Sequence, residues 1–248
     1  MFMLIFSHLN WRSLFVYFLL CKLLFSGSFA VQAETQLHVV TEEWPPFNYT
    51  DKNGQIVGRS TMVVEQLLRS ANISYQIHSY PWVRALQRAK KVPNTMIYSI
   101  FQTPERVDQF KWLCPLIESP KIFLFRLASR NDLADLTLTQ LSEHTVAVIK
   151  NDVADDFLRH NTQVHVDSSS LGVTNFRKLI AGRVDYMAST EFTMIENIKA
   201  QGLNDKIVVP EIAIAAATPK PLCMAFNLET DDTLIAKIAT QMTKLKHQ

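Results

Sequence analysis

The sequence predicts an α/β protein of two lobes, each a sheet flanked by helices. Three observations support this. Short apolar strands alternate with amphipathic helices along most of the chain. Two such series follow one another, each about 100 residues long, the size of a small domain. Gly, Pro, Asn and Asp punctuate the joins between elements.

The first series opens with the strand Leu37–Thr41, which ends at the turn Trp44-Pro45-Pro46-Phe47, and Asp51-Lys52-Asn53-Gly54 is a hairpin-type signal. Ser60 is positioned to cap a helix running to about Ser70, with Met62, Val63, Leu67 and Leu68 on its buried face. Tyr75–Ser79 is a strand, Pro81 opens the helix Trp82–Lys91, and Thr95–Ile100 is a third strand. This β-α-β-α-β order predicts parallel strands joined by crossover helices. The second series begins with a strand over 121–126 and another over Thr145–Ile149. Asp152, with Asp155 three residues on, is close to a capping box for the helix that follows. Val164–Val166 is a short strand and Leu171–Ala181 a helix closed by Gly182. Val184–Ala188 is a strand, followed by the helix Glu191–Gln201 with Gly202 as its C-cap. Ile207–Val209 and Leu222–Phe226 are the last strands, and Asp231–Lys244 is the terminal helix.

The N-terminus differs from the rest. Residues 1–33 contain Arg12 and Lys22 but no acid, and an apolar stretch from Leu14 to Phe25 is interrupted by Lys22. Small residues then lead to Ser28-Phe29-Ala30 and Val31-Gln32-Ala33, either of which fits the small-x-small site of a cleaved secretory signal. A membrane span needs about 20 uninterrupted apolar residues and Lys22 breaks the run, so a cleaved signal is expected, with an uncleaved anchor as the alternative. The whole chain has 248 residues, 25 basic and 23 acidic, for a formal charge of +2. Removal of 33 residues and two of those basic side chains leaves 215 residues of formally zero charge, and the leader marks the product as exported.

At 48% apolar and 19% charged residues the chain can build a core, which excludes wholesale disorder. The near-neutral charge argues against a nucleic-acid partner. The sequence offers no CxxC or HxxxH spacing, and no metal or cofactor is expected. Cys21 departs with the leader, leaving Cys114 and Cys223 as either a disulfide or two buried thiols.

Four segments carry a resemblance: 41–49 (TEEWPPFNY) followed by Gly54 and Gly58; 80–86 (YPWVRAL); 99–106 (SIFQTPER) with Phe110-Lys111-Trp112; and 179–185 (LIAGRVD). Together they resemble the periplasmic solute-binding proteins of the polar-amino-acid transporter type, bacterial extracellular solute-binding family 3. The resemblance implies a type II periplasmic-binding-protein fold in which two lobes joined by two hinge crossings hold a solute in the cleft. Lobe 1 would be 34–122 with 224–248, and lobe 2 would be 123–223. The crossings would lie near Ser119–Phe125 and Pro219–Ala225, which brings Cys114 and Cys223 into one region.

Arg106 occupies the place of the family's carboxylate-binding arginine, whose planar fork can grip a carboxylate bidentately. Trp44 stands where the family puts a stacking aromatic, and Trp82, Ser99 and Phe101 are further cleft candidates. Glu42 or Glu43 can receive a ligand ammonium. Asn151 and Asp152 open a helix whose N-terminus favours anions, although the charge of Asp152 opposes a carboxylate there. Thr190 falls where amino-acid binders of the family carry an ammonium-binding Asp, with Glu191 adjacent. Either Glu191 substitutes for it or the ligand is not a standard α-amino acid. The expected function is therefore a monomeric, non-catalytic binding protein that closes on a small polar solute. Membrane subunits of an ABC transporter or a sensor would read the closed form. The alternatives are a periplasmic lyase using Glu42, Glu43, Asp152 and Glu191 as acids or bases, and a degenerate member that binds only a partner protein.

Overall fold

The computed structural model describes residues 36–214 and 221–246; the leader expected over residues 1–33 lies outside the described residues. Twelve strands and six α-helices are described. The first sheet uses β1 (Leu37–Thr41), β4 (Tyr75–Ser79), β5 (Thr95–Phe101), β6 (Lys111–Ile117) and β12 (Leu222–Phe226), in the order β4-β1-β5-β12-β6. The second uses β7 (Ile122–Leu127), β8 (Thr145–Ile149), β9 (His165–Ser169), β10 (Tyr186–Thr190) and β11 (Val208–Ala213), in the order β11-β7-β10-β8-β9. A small hairpin of β2 (Tyr49–Thr50) and β3 (Ile56–Val57) encloses the Asp51–Gly54 turn.

Both sheets are mixed. The strands β1, β4 and β5 run parallel, as the crossover pattern predicts, and so do β8, β9 and β10. Antiparallel strands complete each sheet: β12 against β5 and β6, and β7 against β10 and β11. Each sheet is covered on both faces, so strand residues of alternate parity enter different cores. In the first sheet Val39, Met96 and Met224 meet helices α1 (Arg59–Ser70) and α6 (Asp232–Lys246), whereas Val40, Ile97 and Ala225 meet α2 (Trp82–Lys91). In the second sheet Leu124, Val146 and Val148 pack on α3 (Val153–Asn161). Phe125, Ala147 and Met187 pack on α4 (Gly172–Ile180) and α5 (Glu191–Ala200).

Several expectations need correction. Ser60 does not cap α1 but lies inside it, buried, and Gly58 is the N-cap at φ 124°. The buried face of α1 is correspondingly Thr61, Val64, Leu67 and Leu68, and Met62 is 63% exposed. The strand β6 was not expected, because Pro115 interrupts its pattern; Pro is tolerated there because β6 is an edge strand. The expected strand Val184–Ala188 begins at Tyr186 and ends at Thr190.

Sheet membership also shifts the expected lobe limits. Ile122 already belongs to the second sheet, and Leu222 and Cys223 belong to the first. The outward crossing therefore occupies 118–121. The return crossing falls between Ala213 and Leu222, with 215–220 outside the described residues. Cys114 and Cys223 form a disulfide between the neighbouring strands β6 and β12, with Cα atoms 4.6 Å apart.

Candidate functional site

The segment after β1 is held in an unusual path. The main-chain oxygen of Glu42 accepts from the Asn48 side-chain Nδ2 at 2.8 Å, and Trp44 and Asn48 form an isolated bridge. Gly58 closes this loop: a Cβ there would lie 2.3 Å from the carbonyl oxygen of Phe47. The loop thereby presents Glu42 and Trp44 to a cavity, with Trp44 packed on Phe47 and Phe101 at ring distances of 4.8 and 6.3 Å.

A second edge of the cavity comes from β5, where Ser99 sits at a bulge. Tyr98 pairs with Met224 and Ile100 with Cys223, leaving Ser99 between them at φ 61°. Left-handed φ is costly for a non-glycine residue and concentrates at functional sites. Ser99 is 3% exposed, and its hydroxyl has no hydrogen-bond partner among the described residues.

The turn after β5 delivers Arg106, whose amide donates to the Thr103 carbonyl at 3.0 Å. Its guanidinium is 5% exposed and lies 5.2 Å from the centre of the Trp82 ring. From this position it crosses to the second half of the molecule. Nη2 donates to the Asn151 carbonyl at 3.0 Å and to Asp156 Oδ2 at 3.2 Å. The Trp82 indole donates to the same Asn151 carbonyl at 2.7 Å. On another part of the rim Thr193 Oγ1 donates to the Pro45 carbonyl at 2.9 Å, and Phe47 meets Phe192 edge-on at 6.2 Å. These contacts bridge the halves around a partly open cavity of about 690 Å³, counted with the space at its mouth.

The lining combines aromatic and aliphatic surface with few charges. Glu42, Glu43 and Asp152 are its acids, and Arg106 is its single base. Glu43 is engaged at the rim, accepting from the Thr50 amide at 2.9 Å and from the hydroxyls of Thr50 and Ser79. Among the described residues no side-chain or main-chain donor reaches the Glu42 carboxyl. Burial, then the charge of Asp152, pushes the Glu42 carboxyl up to about 8. Asp152 is the N-cap of α3 and accepts the Asp155 amide at 2.8 Å, yet burial pushes it up to about 7.

Nine of the eleven expected ligand-binding residues line this cavity: Glu42, Glu43, Trp44, Trp82, Ser99, Phe101, Arg106, Asp152 and Thr190. Two do not. Asn151 contributes only its carbonyl, as the acceptor that closes the cleft, while its side chain is exposed. Glu191 is exposed on the first turn of α5 and outside the lining, because Thr190 turns inward as the N-cap of that helix. Ser189, Thr193, Ile149 and the β10 residues Met187 and Ala188 also line the cavity without having been expected. Of these, Ser189 lies past the expected end of the strand at Ala188, because β10 runs on to Thr190. No cluster of His, Cys, Asp and Glu suited to a metal ion occurs among the described residues.

Solved structures share this architecture. A periplasmic binding protein of Salmonella typhimurium with high arginine specificity matches with a TM-score of 0.74 at 16% identity, over 86% of this chain and 94% of that one. A histidine kinase sensor domain similar to periplasmic binding proteins matches with a TM-score of 0.75 at 15% identity, over 86% and 91%. A Silicibacter pomeroyi His/Glu/Gln/Arg/opine family-binding protein in complex with lysine gives 0.68 at 14% identity, over 85% and 91%. No curated protein matches by sequence. The model for bacterial extracellular solute-binding proteins, family 3, matches residues 37–248, and the chain belongs to that family.

Proposed function

We propose that this protein is a periplasmic solute-binding protein that closes two lobes over a small polar solute and is read in that form by a transporter or a sensor. The acid-containing cavity between the two sheets carries this reading: Arg106 and Trp82 from one side share the Asn151 carbonyl on the other. Such contacts exist only when the halves meet, so a solute that touches both sides can shift the equilibrium toward closure. Similarity to arginine- and lysine-binding proteins supports a nitrogenous solute, and similarity to a kinase sensor domain supports signalling beside transport. The basic, acid-free leader supports export with removal of residues 1–33. No helix among the described residues is long and apolar enough to cross a membrane. The protein acts as a monomer that binds its solute without transforming it.

A thermal-shift screen of amino acids, amines and small carboxylates tests this reading. A solute at 100 times its Kd stabilises by about 2.7 kcal/mol, a clear rise in melting temperature. Trp44→Ala should remove that rise for the solute that produces it. A lyase on the same scaffold would instead use the raised carboxyls of Glu42 and Asp152, and recovery of the solute chemically altered after incubation would overturn the binding-only reading.

A further inference from the structure

The cleft of an amino-acid binder needs somewhere to put a carboxylate, and here the two places the sequence marks, Arg106 and the start of α3, are largely engaged by the protein itself. A carboxylate grips a guanidinium through two neighbouring nitrogens, either Nη1 with Nη2 or Nε with Nη2. Both arrangements require Nη2, and Arg106 Nη2 already donates to the Asn151 carbonyl and to Asp156. The other anion site would be the N-terminus of α3. There the Asp155 amide is bound by Asp152, and the Asn151 amide by Asp155 Oδ2 at 2.7 Å.

What remains free in the cavity is acidic. Arg106 is matched by Asp156, and Glu43 is held by Thr50 and Ser79. That leaves Glu42, from the first half, and Asp152, from the second, as lining carboxyls that form no ion pair among the described residues, although both feel the charge of Arg106. They are near enough for the charge of Asp152 to disfavour ionisation of Glu42. Lys90 stands close enough to Arg106 to feel its charge but is not part of the lining. An independent observation also points to a ligand: the buried Ser99 hydroxyl, held in left-handed backbone at the β5 bulge, lines the cavity and lacks a partner. It offers a further acceptor for an N–H group, and Trp44 and Phe101 offer an apolar wall.

We propose that the cavity takes an organic cation carrying no carboxylate, an alkyl amine, diamine or guanidino amine. Its cationic nitrogen bridges Glu42 and Asp152, and its chain lies along Trp44 and Phe101. Because the two acids belong to opposite halves, the cation itself joins the halves in the closed form. This inference rests on the solute-binding reading above and narrows it.

Matched pairs that differ only by a carboxylate test it: 1,5-diaminopentane against lysine, 1,4-diaminobutane against ornithine, and agmatine against arginine. Calorimetry on the leaderless protein should show the decarboxylated member binding at least tenfold more tightly in the pair that binds best. Glu42→Gln and Asp152→Asn, each nearly isosteric and the second still able to cap α3, should each weaken that binding tenfold or more. Tighter binding of the amino acid in the best pair overturns the inference and leaves the solute-binding reading intact. So does binding of a neutral or acidic amino acid when no member of any pair binds. Unchanged amine affinity in both variants also overturns it. A protein that binds no small solute at all overturns both readings.

Discussion

Arg106 shows how one side chain can be read correctly by type and differently by role. Its place in the Thr103-Pro104-Glu105-Arg106 segment marks it as a cleft residue, and it lines the cavity. The sequence cannot show that its partner is a main-chain oxygen, because a carbonyl acceptor has no residue signature; Asn151 was singled out for its position, and only its backbone serves. Ser99 is similar, since its exposure to the cavity depends on a bulge set by the pairing of β5 with a strand more than 120 residues away. Glu191 misled because an acid beside an expected ammonium site looks functional, although helix phase turns it outward. Arg106→Lys tests the bridging role directly. An ammonium keeps the charge but cannot lie flat on Trp82 while donating to both Asn151 and Asp156. Hydrogen bonds to charged groups contribute about 1.5–3 kcal/mol, discounted here because Asp156 is partly exposed. Solute affinity should fall about tenfold or more by calorimetry, while circular dichroism shows both sheets intact.

Elements differ in how far their order was legible. The strands β1, β4 and β8 and the helix α2, which Pro81 opens, fall where their patterns place them. The missing strand β6 and the displaced start of β10 share a physical cause: pairing with neighbours, not local pattern, determines where edge residues join a ladder. Two predictions belong at this scale. Gly58→Ala should destabilise by about 1–3 kcal/mol, since left-handed φ and a 2.3 Å approach to the Phe47 backbone cannot be relieved by a rotamer change. The variant should show a lower melting temperature and, because the loop carries Glu42 and Trp44, weaker solute binding. The Cys114–Cys223 disulfide closes a separation of 109 residues between β6 and β12. Replacing both cysteines by Ser should cost about 2–5 kcal/mol in chemical denaturation. Solute affinity should change little, because neither cysteine lines the cavity.

At the scale of the whole molecule, a near-balanced formal charge of +2 conceals a local imbalance at the cavity between the halves. Glu42 and Asp152 are half-buried in the lining of one cavity, with Arg106 paired with Asp156, and with Glu43 and Asp155 adding negative charge nearby. The Glu42 carboxyl rises from 4.5 to about 8 and that of Asp152 from 3.8 to about 7, burial being the largest cause in each case. The closed protein therefore holds protons that the unfolded chain has released, and its stability falls as pH rises through that interval. Below about pH 4 the effect is absent, and above about 8 the full penalty applies. Ligand-free protein should consequently melt higher at pH 5 than at pH 8, and small-angle scattering should show it more compact at the lower value. Glu42→Gln combined with Asp152→Asn should flatten both trends; trends of the same slope in the double variant would exclude these carboxyls as the cause. A cationic solute acts in the opposite sense, since it favours the ionised pair and displaces the bound protons. Its affinity should rise between pH 5 and pH 8, and calorimetry in buffers of different ionisation enthalpy should record proton release on binding.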